Sequence, residues 1–375
     1  MKNIVFIPTY WVNKEEKYKT VFDHDSLLSS DGTIGRTLQS FVKKKLSYDV
    51  LILTVPKTKE VDDKIDRIVK KFPKLDITVL NKKKYERIIR KVKRTKVSRE
   101  FKSKINLDDY PGVRNIGLIY AITNNYDNII MIDDDEVVTD DDYFNKAVYG
   151  IGDKIHGKRL LGKTGYYINK SGVYEKKQKD PILRKLWLKG TLITKAINKA
   201  INRKQRLNNT SMALGGNMVL NKKLFYQVPF DPYLTRGEDV DYLMNAKHFG
   251  YLFLMDKELK ILHLPPKNLT HAWKKIRRDI YRFTYLKEKL KFLKISIRDT
   301  QPYPGFFLSK NLNYKIKKLN KNYAEDCIEK NRLDEAKEYQ KNSTEILDAA
   351  IEYAEENAKK YFSFQKEWVK FTKEI

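Results

Sequence analysis

Short apolar runs alternate with stretches of helical period along the first 130 or so residues. Residues 3–7 (NIVFI), 49–55 (DVLILTV) and 75–80 read as buried strands, the first stopped by Pro8-Thr9-Tyr10. A polar loop fills the chain up to Gly35. Residues 36–45 and 61–72 then repeat apolar positions at helical spacing, with Ile65, Ile68 and Val69 facing inward. This rhythm predicts an α/β fold, a Rossmann-like, mostly parallel sheet flanked by helices. Residues 82–104 are helical by period and densely basic, and a further helix is predicted from the segment 108–117 (DDYPGVRNIG) to Asn124.

The next apolar run, Ile129-Ile130-Met131-Ile132, drives straight into Asp133-Asp134-Asp135-Glu136. Four apolar residues in a row fit a strand buried on both faces, and ligands of open α/β sheets gather outside the carboxyl ends of such strands. In an extended chain Asp133 and Asp135 share a side while Asp134 faces away. Two hard oxygen ligands so placed suit Mg²⁺ or Mn²⁺. The competing reading is a solvated acidic turn before a helix that starts after Thr139.

Further on, residues 160–173 suggest a hairpin turning at Asn169-Lys170-Ser171-Gly172. Residues 181–203 form an amphipathic helix with a basic face that includes Lys189. Such a helix packs on a core or lies in a membrane interface, and the core is preferred. Gly215-Gly216-Asn217 precedes a strand, a place where backbone can approach a ligand closely. Arg236-Gly237-Glu238-Asp239-Val240-Asp241 enters a helix running to His248, and residues 259–263 read as a last strand ending in His263. Beyond Pro266 the pattern is helical: Trp273 to Leu290, then, after Pro302-Tyr303-Pro304-Gly305, helices over 314–331 and 333–368. The expected division is a catalytic unit, 1–265, and a helical C-terminal extension, 266–375. That extension has three candidate uses: shaping an acceptor site, a homo-oligomer contact or membrane docking.

Composition narrows the partners. The 375 residues are 41% hydrophobic and 33% charged, with Lys+Arg 76 against Asp+Glu 48, a formal charge of +28. An excess of that size points to an anionic partner, whether nucleic acid, membrane surface or phosphorylated substrate, unless it reflects only a lysine-rich proteome. Cys327 is the single cysteine, so the chain forms no internal disulfide and no thiolate zinc site of its own. The apolar run at the N-terminus is too brief for a signal peptide, and none reaches the roughly twenty residues that spanning a membrane requires. The expectation is a cytoplasmic protein, with peripheral contact to the inner membrane face left open.

Six features in order carry a resemblance: the Pro8-Thr9-Tyr10 loop, Val113-Arg114-Asn115-Ile116-Gly117, Asp133-Asp134-Asp135, Gly215-Gly216-Asn217, Gly237-Glu238-Asp239 and the strand-end His263. Over residues 1–265 the chain resembles GT-A glycosyltransferases of the family-2-like group. The resemblance implies a nucleotide-diphosphate sugar as donor and Mn²⁺ or Mg²⁺ as cofactor. It places Pro8, Thr9 and Tyr10 by the base or ribose, and Arg114 with Asn115 at the nucleotide or its diphosphate. Asp133 and Asp135 would meet ribose and metal, with Asp134 among the nucleotide contacts and His263 completing the metal's shell. Gly215, Gly216 and Asn217 would border donor sugar and acceptor. Asp239, helped by Glu238, would take the acceptor's proton in an inverting transfer, its pKa raised by the Glu238/Asp239/Asp241 crowd. The second strand ends in Val55-Pro56-Lys57-Thr58 where many relatives carry an acidic residue that reads uracil, which leaves the base open, guanine included. A phosphate- or lipid-linked acceptor would suit the basic surface.

Two other classes compete. A sugar-phosphate nucleotidyltransferase shares the sheet and the acidic pair but usually has a glycine-rich loop after its first strand, and residues 8–14 (PTYWVNK) contain no glycine. A basic nucleic-acid-binding protein would explain residues 82–104 and 181–206 but gives Asp133–Asp135 and Glu238-Asp239 no purpose. Nucleic acid is the disfavoured partner.

Overall fold

The computed structural model describes residues 1–14, 21–174, 180–266 and 270–375. Residues 15–20 of the expected polar loop therefore lie outside the described residues. Eleven strands form one sheet: β1 (Asn3–Val12), β2 (Ser26–Leu27), β3 (Asp49–Val55), β4 (Ile77–Leu80), β5 (Asn128–Met131), β6 (Glu136–Val137), β7 (Lys154–Ile155), β8 (Lys158–Ile168), β9 (Leu207–Asn209), β10 (Met218–Asn221) and β11 (Leu252–His263). The main path runs β4-β3-β1-β5-β10-β8-β11-β6. Its longer ladders, β3 and β5 on β1 and β11 on β8, are parallel; β10 is antiparallel to both its neighbours. The α/β class expected from the sequence is the observed one.

Strict alternation builds the sheet's two faces. Phe6, Leu51, Leu53, Ile129 and Met131 pack on one side, while Val5, Ile7, Val50, Ile52, Ile130 and Ile132 pack on the other. Both sides are covered by helices, which is why these strands read as continuous apolar runs. The chain leaves β1 toward β3 on one side and meets β5 on the other. Order therefore reverses at the β1/β5 boundary, the position where open α/β sheets form a crevice at their carboxyl ends.

Several elements depart from expectation for local reasons. β1 does not stop at Pro8 but continues to Val12. The Phe6 carbonyl accepts from Ile132 N–H on the β5 side, so Pro8 turns its missing N–H to that same side, beyond the end of β5. The basic segment 82–104 is two helices, Lys82–Arg94 and Arg99–Ser103. Ser98 caps the second by accepting from Phe101 N–H, while Glu374 and Glu367 of the last helix accept from the freed N–H groups of Lys96 and Ser98. The turn at Asn169–Gly172 forms, but β8 is one strand whose hairpin partner is β7. The segment 181–203 breaks at Leu188, with φ 53°, between a π-helical turn (Leu183–Trp187) and the helix Lys189–Ile201. Trp187 and Ile197 are buried, so this element packs on the core.

Residues 333–368, expected as one helix, belong to three: Leu333–Ser343, Glu345–Asn357 and Lys360–Glu374. The breaks fold the last helix back onto the sheet side of the molecule. Trp368 Nε1 donates to the Phe225 carbonyl at 2.9 Å, and the Tyr361 hydroxyl to the Pro229 carbonyl at 3.2 Å. One continuous apolar core includes Phe6, Tyr242, Phe283, Trp368 and the buried Cys327. Among the described residues no helix is long and apolar enough to cross a membrane.

A buried ion cluster completes the attachment. Lys289, on the helix Ala272–Leu290, lies 2.6 Å from Asp231 and 2.7 Å from Asp241, all with 0% side-chain exposure. Removing one partner of such a set leaves charge buried without compensation, at a cost of about 3–5 kcal/mol. Lys289→Ala should therefore lower unfolding free energy by that order in urea titration, in a single transition that includes the sheet. Loss of the C-terminal helices alone, with the sheet transition unmoved, would show that the two regions do not share a core.

Candidate active site

Helix Ile34–Lys43 ties down the end of β5. Thr37 Oγ1 donates within 2.6–2.8 Å of the Asp134 and Glu136 carbonyls, and Arg36 reaches the Leu264 carbonyl beyond β11. The strand ends at Met131 and the chain turns, Glu136 N–H donating to the Asp133 carbonyl at 3.2 Å. The alternation expected of an extended chain is therefore lost: Asp133, Asp134 and Asp135 all line the same cavity. Its volume is about 230 Å³.

Each of the three carboxylates has its own electrical setting. Asp133 accepts from Arg114 Nη2 at 2.7 Å. Asp134 accepts from Thr9 Oγ1 at 2.6 Å, and burial followed by Asp135 pushes its pKa up. Burial acts on Asp135 in the same sense, but His263, His24 and Arg36 outweigh it and hold its carboxyl below the ordinary value. Asp135 Oδ2 lies 3.3 Å from His263 Nε2 and 3.6 Å from His24 Nδ1. Burial, against the pull of Asp135, lowers the His24 pKa.

Asp135 Oδ2 and His24 Nδ1 are buried and make no hydrogen bond among the described residues. One carboxylate oxygen with an imidazole nitrogen of each histidine within 3.6 Å of it could contribute donors to a divalent ion, because buried lone pairs without donors need a cation or a proton. Among the described residues no group of three or more His, Cys, Asp or Glu side chains is placed to hold a metal ion. An ion at Asp135 would therefore need substrate oxygens to complete its shell.

Arg114, on the helix Tyr110–Thr123, is 2% exposed and sits behind this wall. Burial works against its charge, but Asp133, Tyr10 and Glu238 more than offset that and raise its pKa. Gly215 and Gly216 make the room. A Cβ at Gly215 would meet Arg114 Nη2 at 2.9 Å, and one at Gly216 would meet Glu136 Oε1 at 2.2 Å. Gly215 N–H donates to Asp239 Oδ2 at 3.2 Å, linking the glycine pair to the start of the helix Glu238–His248. Glu238 is pushed up to about 7, first by burial and then by Asp239, with Arg114 opposing.

Tyr10, Arg114, Asp133, Asp134, Asp135, Gly215, Glu238, Asp239 and His263 thus line one cavity. Other expected site residues do not reach it. Pro8 is inside β1, and Thr9 is buried beneath Asp134. Asn115 spends its amide on the Phe230 backbone, donating to the carbonyl and accepting from the N–H, both at 2.9 Å. Asn217 accepts from the Tyr143 hydroxyl and donates to the Tyr166 and Leu259 carbonyls. Gly216 stands behind the wall, its N–H on the Tyr167 hydroxyl at 3.0 Å. Asp241 leaves the expected acidic crowd altogether, because Lys289 draws it to the opposite side of its helix.

Sequence reasoning missed His24, Tyr167, Lys189, Arg282 and Tyr303, all of which line the cavity. His24 stood alone in a polar loop. The sequence pattern puts Lys189 on the basic face of a helix, and the break at Leu188 sets it at the cavity wall instead. An aromatic corner, Tyr10 with Phe22 at 4.1 Å and Tyr110 at 5.5 Å between ring centroids, closes one end.

No protein-family model matches the chain, and no curated protein does. Among solved structures it is similar to the mannosyltransferase PcManGT from Pyrobaculum calidifontis in complex with GDP-Man and Mn²⁺: 12% identity over 99% of this chain and 85% of that one, TM-score 0.49. It is also similar to glucosyl-3-phosphoglycerate synthase from Mycobacterium tuberculosis in complex with Mn²⁺ and UDP-glucose: 10% identity, 79% of this chain and 80% of that one, TM-score 0.41. Likenesses this distant fix neither substrate nor mechanism.

The glycine pair gives a direct check on the geometry. Gly216→Ala should cost about 1–3 kcal/mol by forcing Glu136 and Asp133 to move. Gly35→Ala, in a helix with nothing within 4 Å of the new Cβ, should be neutral or stabilising by up to about 1 kcal/mol. Thermal melting of the two variants side by side reads the difference; equal melting temperatures would show that the backbone at Gly216 is not confined.

Proposed function

We propose that the chain is a GT-A-type glycosyltransferase that moves a sugar from a nucleotide-diphosphate donor to an acceptor hydroxyl. One observation carries this reading: Asp133, Asp135 and His263 share a cavity with Glu238 and Asp239, about a hundred positions away, at the carboxyl ends of β5 and β11. The cavity also lies by the β1/β5 boundary, where the order of strands reverses.

Asp135, His263 and His24 would hold Mn²⁺ or Mg²⁺, and the ion would offset the charge that grows on the departing diphosphate. Arg114 keeps Asp133 and Glu238 in place from behind, a positioning role in addition to the nucleotide contact implied for it. Tyr10, Phe22 and Tyr110 supply flat apolar surface for a base or ribose. Asp239 is half-exposed and oriented by Gly215 N–H, and it takes the acceptor's proton while attack proceeds opposite the leaving group, with inversion. Glu238 beside it is pushed up to about 7, by burial first and then by the charge of Asp239. The carboxylates concentrated in this crevice disfavour a phosphodiester chain as occupant, which weighs against the nucleic-acid-binding alternative.

Melting temperature in a panel of nucleotide-sugars should rise for one donor only with Mn²⁺ or Mg²⁺ present, by the equivalent of about 2.7 kcal/mol at a hundredfold excess over Kd. Asp135→Ala should remove that dependence on the ion. If no nucleotide-sugar shifts the wild type with either ion, the reading fails.

Asp239→Asn should lower transfer at least about 100-fold, the loss expected of a missing general base, while the donor still raises the melting temperature. As Glu238 loses its proton through about 7, its charge strengthens the neighbouring base, so kcat/KM should rise with pH through about 7, and Glu238→Gln should remove that limb. A profile flat from pH 5 to 8 would remove the Glu238/Asp239 pair from the chemistry.

A further inference from the structure

Across the cavity from the acidic turn, the wall is cationic, and the transfer chemistry above leaves those cations without a task. Arg282 comes from the helix Ala272–Leu290, Lys189 opens the helix Lys189–Ile201, and Arg236 precedes Gly237. Arg282 is 6% exposed, and its Nε has no hydrogen-bond partner among the described residues. Its guanidinium occupies the space that a side chain at Gly237 would need: a Cβ there would be 2.1 Å from Nε, at a backbone φ of +79°. Phe283 and Tyr303 flank the guanidinium, their ring centroids 5.3 and 5.6 Å away.

Carboxylates pair two of the cations in this wall. Asp279 holds Lys189 at 2.6 Å, and Asp23 is shared by Arg236 at 2.5 Å and Arg278 at 2.6 Å. Of the three cations that line the cavity here, Lys189 and Arg236 have these carboxylates, while Arg282 makes no ion pair among the described residues. Burial lowers the Lys189 pKa to about 8, a strain that an entering anion would relieve. Arg282 belongs to the Asp239 end: the charges acting on the Tyr303 hydroxyl are Arg282, Asp279, Asp239 and Arg236, whereas those acting on Asp135 are His263, His24 and Arg36; Arg236 also acts on Tyr110 and so stands between the two ends.

We propose that this wall is an anion subsite for the acceptor, and that the hydroxyl presented to Asp239 belongs to a phosphate monoester whose phosphate is gripped by Arg282, Lys189 and Arg236. The assignment to the acceptor rests on Asp239 as the base. An arginine fork matches two phosphate oxygens, and Lys189 adds a point charge. A soluble sugar or glycerol phosphate and a lipid phosphate headgroup present the same group to these residues.

The test is calorimetric titration of the full chain with glycerol 3-phosphate, inorganic phosphate and, as neutral control, glycerol. Both phosphates should bind and glycerol should not. Arg282→Gln should weaken glycerol 3-phosphate at least tenfold, which separates this site from general attraction to a chain of charge +28. Lys189→Gln is titrated alongside, with melting curves, in case the buried Arg282 variant does not fold. In the wild type, saturating UDP or GDP with Mn²⁺ should leave phosphate binding intact.

Glycerol binding as well as its phosphate, unchanged affinity in both variants, or displacement by the nucleoside diphosphate would each overturn the proposal, the last by assigning the cations to the donor. Phosphatidylcholine vesicles with and without phosphatidic acid separate the sources. Tighter binding to the phosphatidic acid vesicles than to glycerol 3-phosphate, lost in Arg282→Gln, makes the acceptor lipid-linked; the reverse order makes it soluble. If no nucleoside diphosphate binds, glycosyl transfer fails as a reading while the phosphate titration still reports on this wall.

Discussion

Negative charge packed against negative charge is the constraint around which this molecule is arranged. Asp133, Asp134, Asp135, Glu136, Glu238 and Asp239 crowd the ends of two strands and the start of a helix, several of them buried. At an effective dielectric constant of 20, two unit charges 4 Å apart interact by about 4 kcal/mol. Such a cluster persists only with countercharge or bound protons, and both are present. Arg114 is buried between Asp133 and Glu238, two imidazoles face Asp135, and burial keeps protons on Asp134 and Glu136 at pH values where exposed carboxyls have lost them. The glycines at 215 and 216 follow from the same demand, since they let backbone close in behind the carboxylates.

Much of this was legible because buried strands and helix caps leave strong local signals. Residues 49–55 were read to their observed bounds, and the run into Asp133 located the strand end that forms the crevice. The break at Leu188, the turn after Asp133 and the folded-back last helix were not legible, because each is decided by a partner distant in sequence. Asn115 and Asn217 show the limit most clearly. Both stand inside motifs that suggest ligand contact, yet their amides are consumed in fixing Phe230, Tyr143 and Leu259. A motif marks where a site is built, and only the hydrogen-bond partners tell lining residue from scaffold. His24 is the converse case: a lone histidine in a polar stretch, aimed at Asp135 by contacts that no local pattern announces.

The cavity is bipolar. Its acidic end gathers at strand ends and at the start of the helix Glu238–His248; its cationic end draws Lys189 and Arg236 from the expected catalytic unit and Arg282 from the expected extension. Sheet and helices share one core and one ion cluster, so the polarity is fixed by folding rather than by a later docking step. That gives a physical role to part of the large positive excess, which composition alone left divided between partner and proteome.

The helix Ala272–Leu290 carries a consequence of its own. Lys289 anchors it to Asp231 and Asp241, and Arg282 stands seven positions earlier, two turns or roughly 10 Å back along the axis on the same stripe. The helix is thus a gauge: one end is clamped to the element bearing Asp239, and the other sets how far from that carboxylate a guanidinium stands. A single residue inserted between the two would swing the guanidinium about 100° around the axis and out of the cavity.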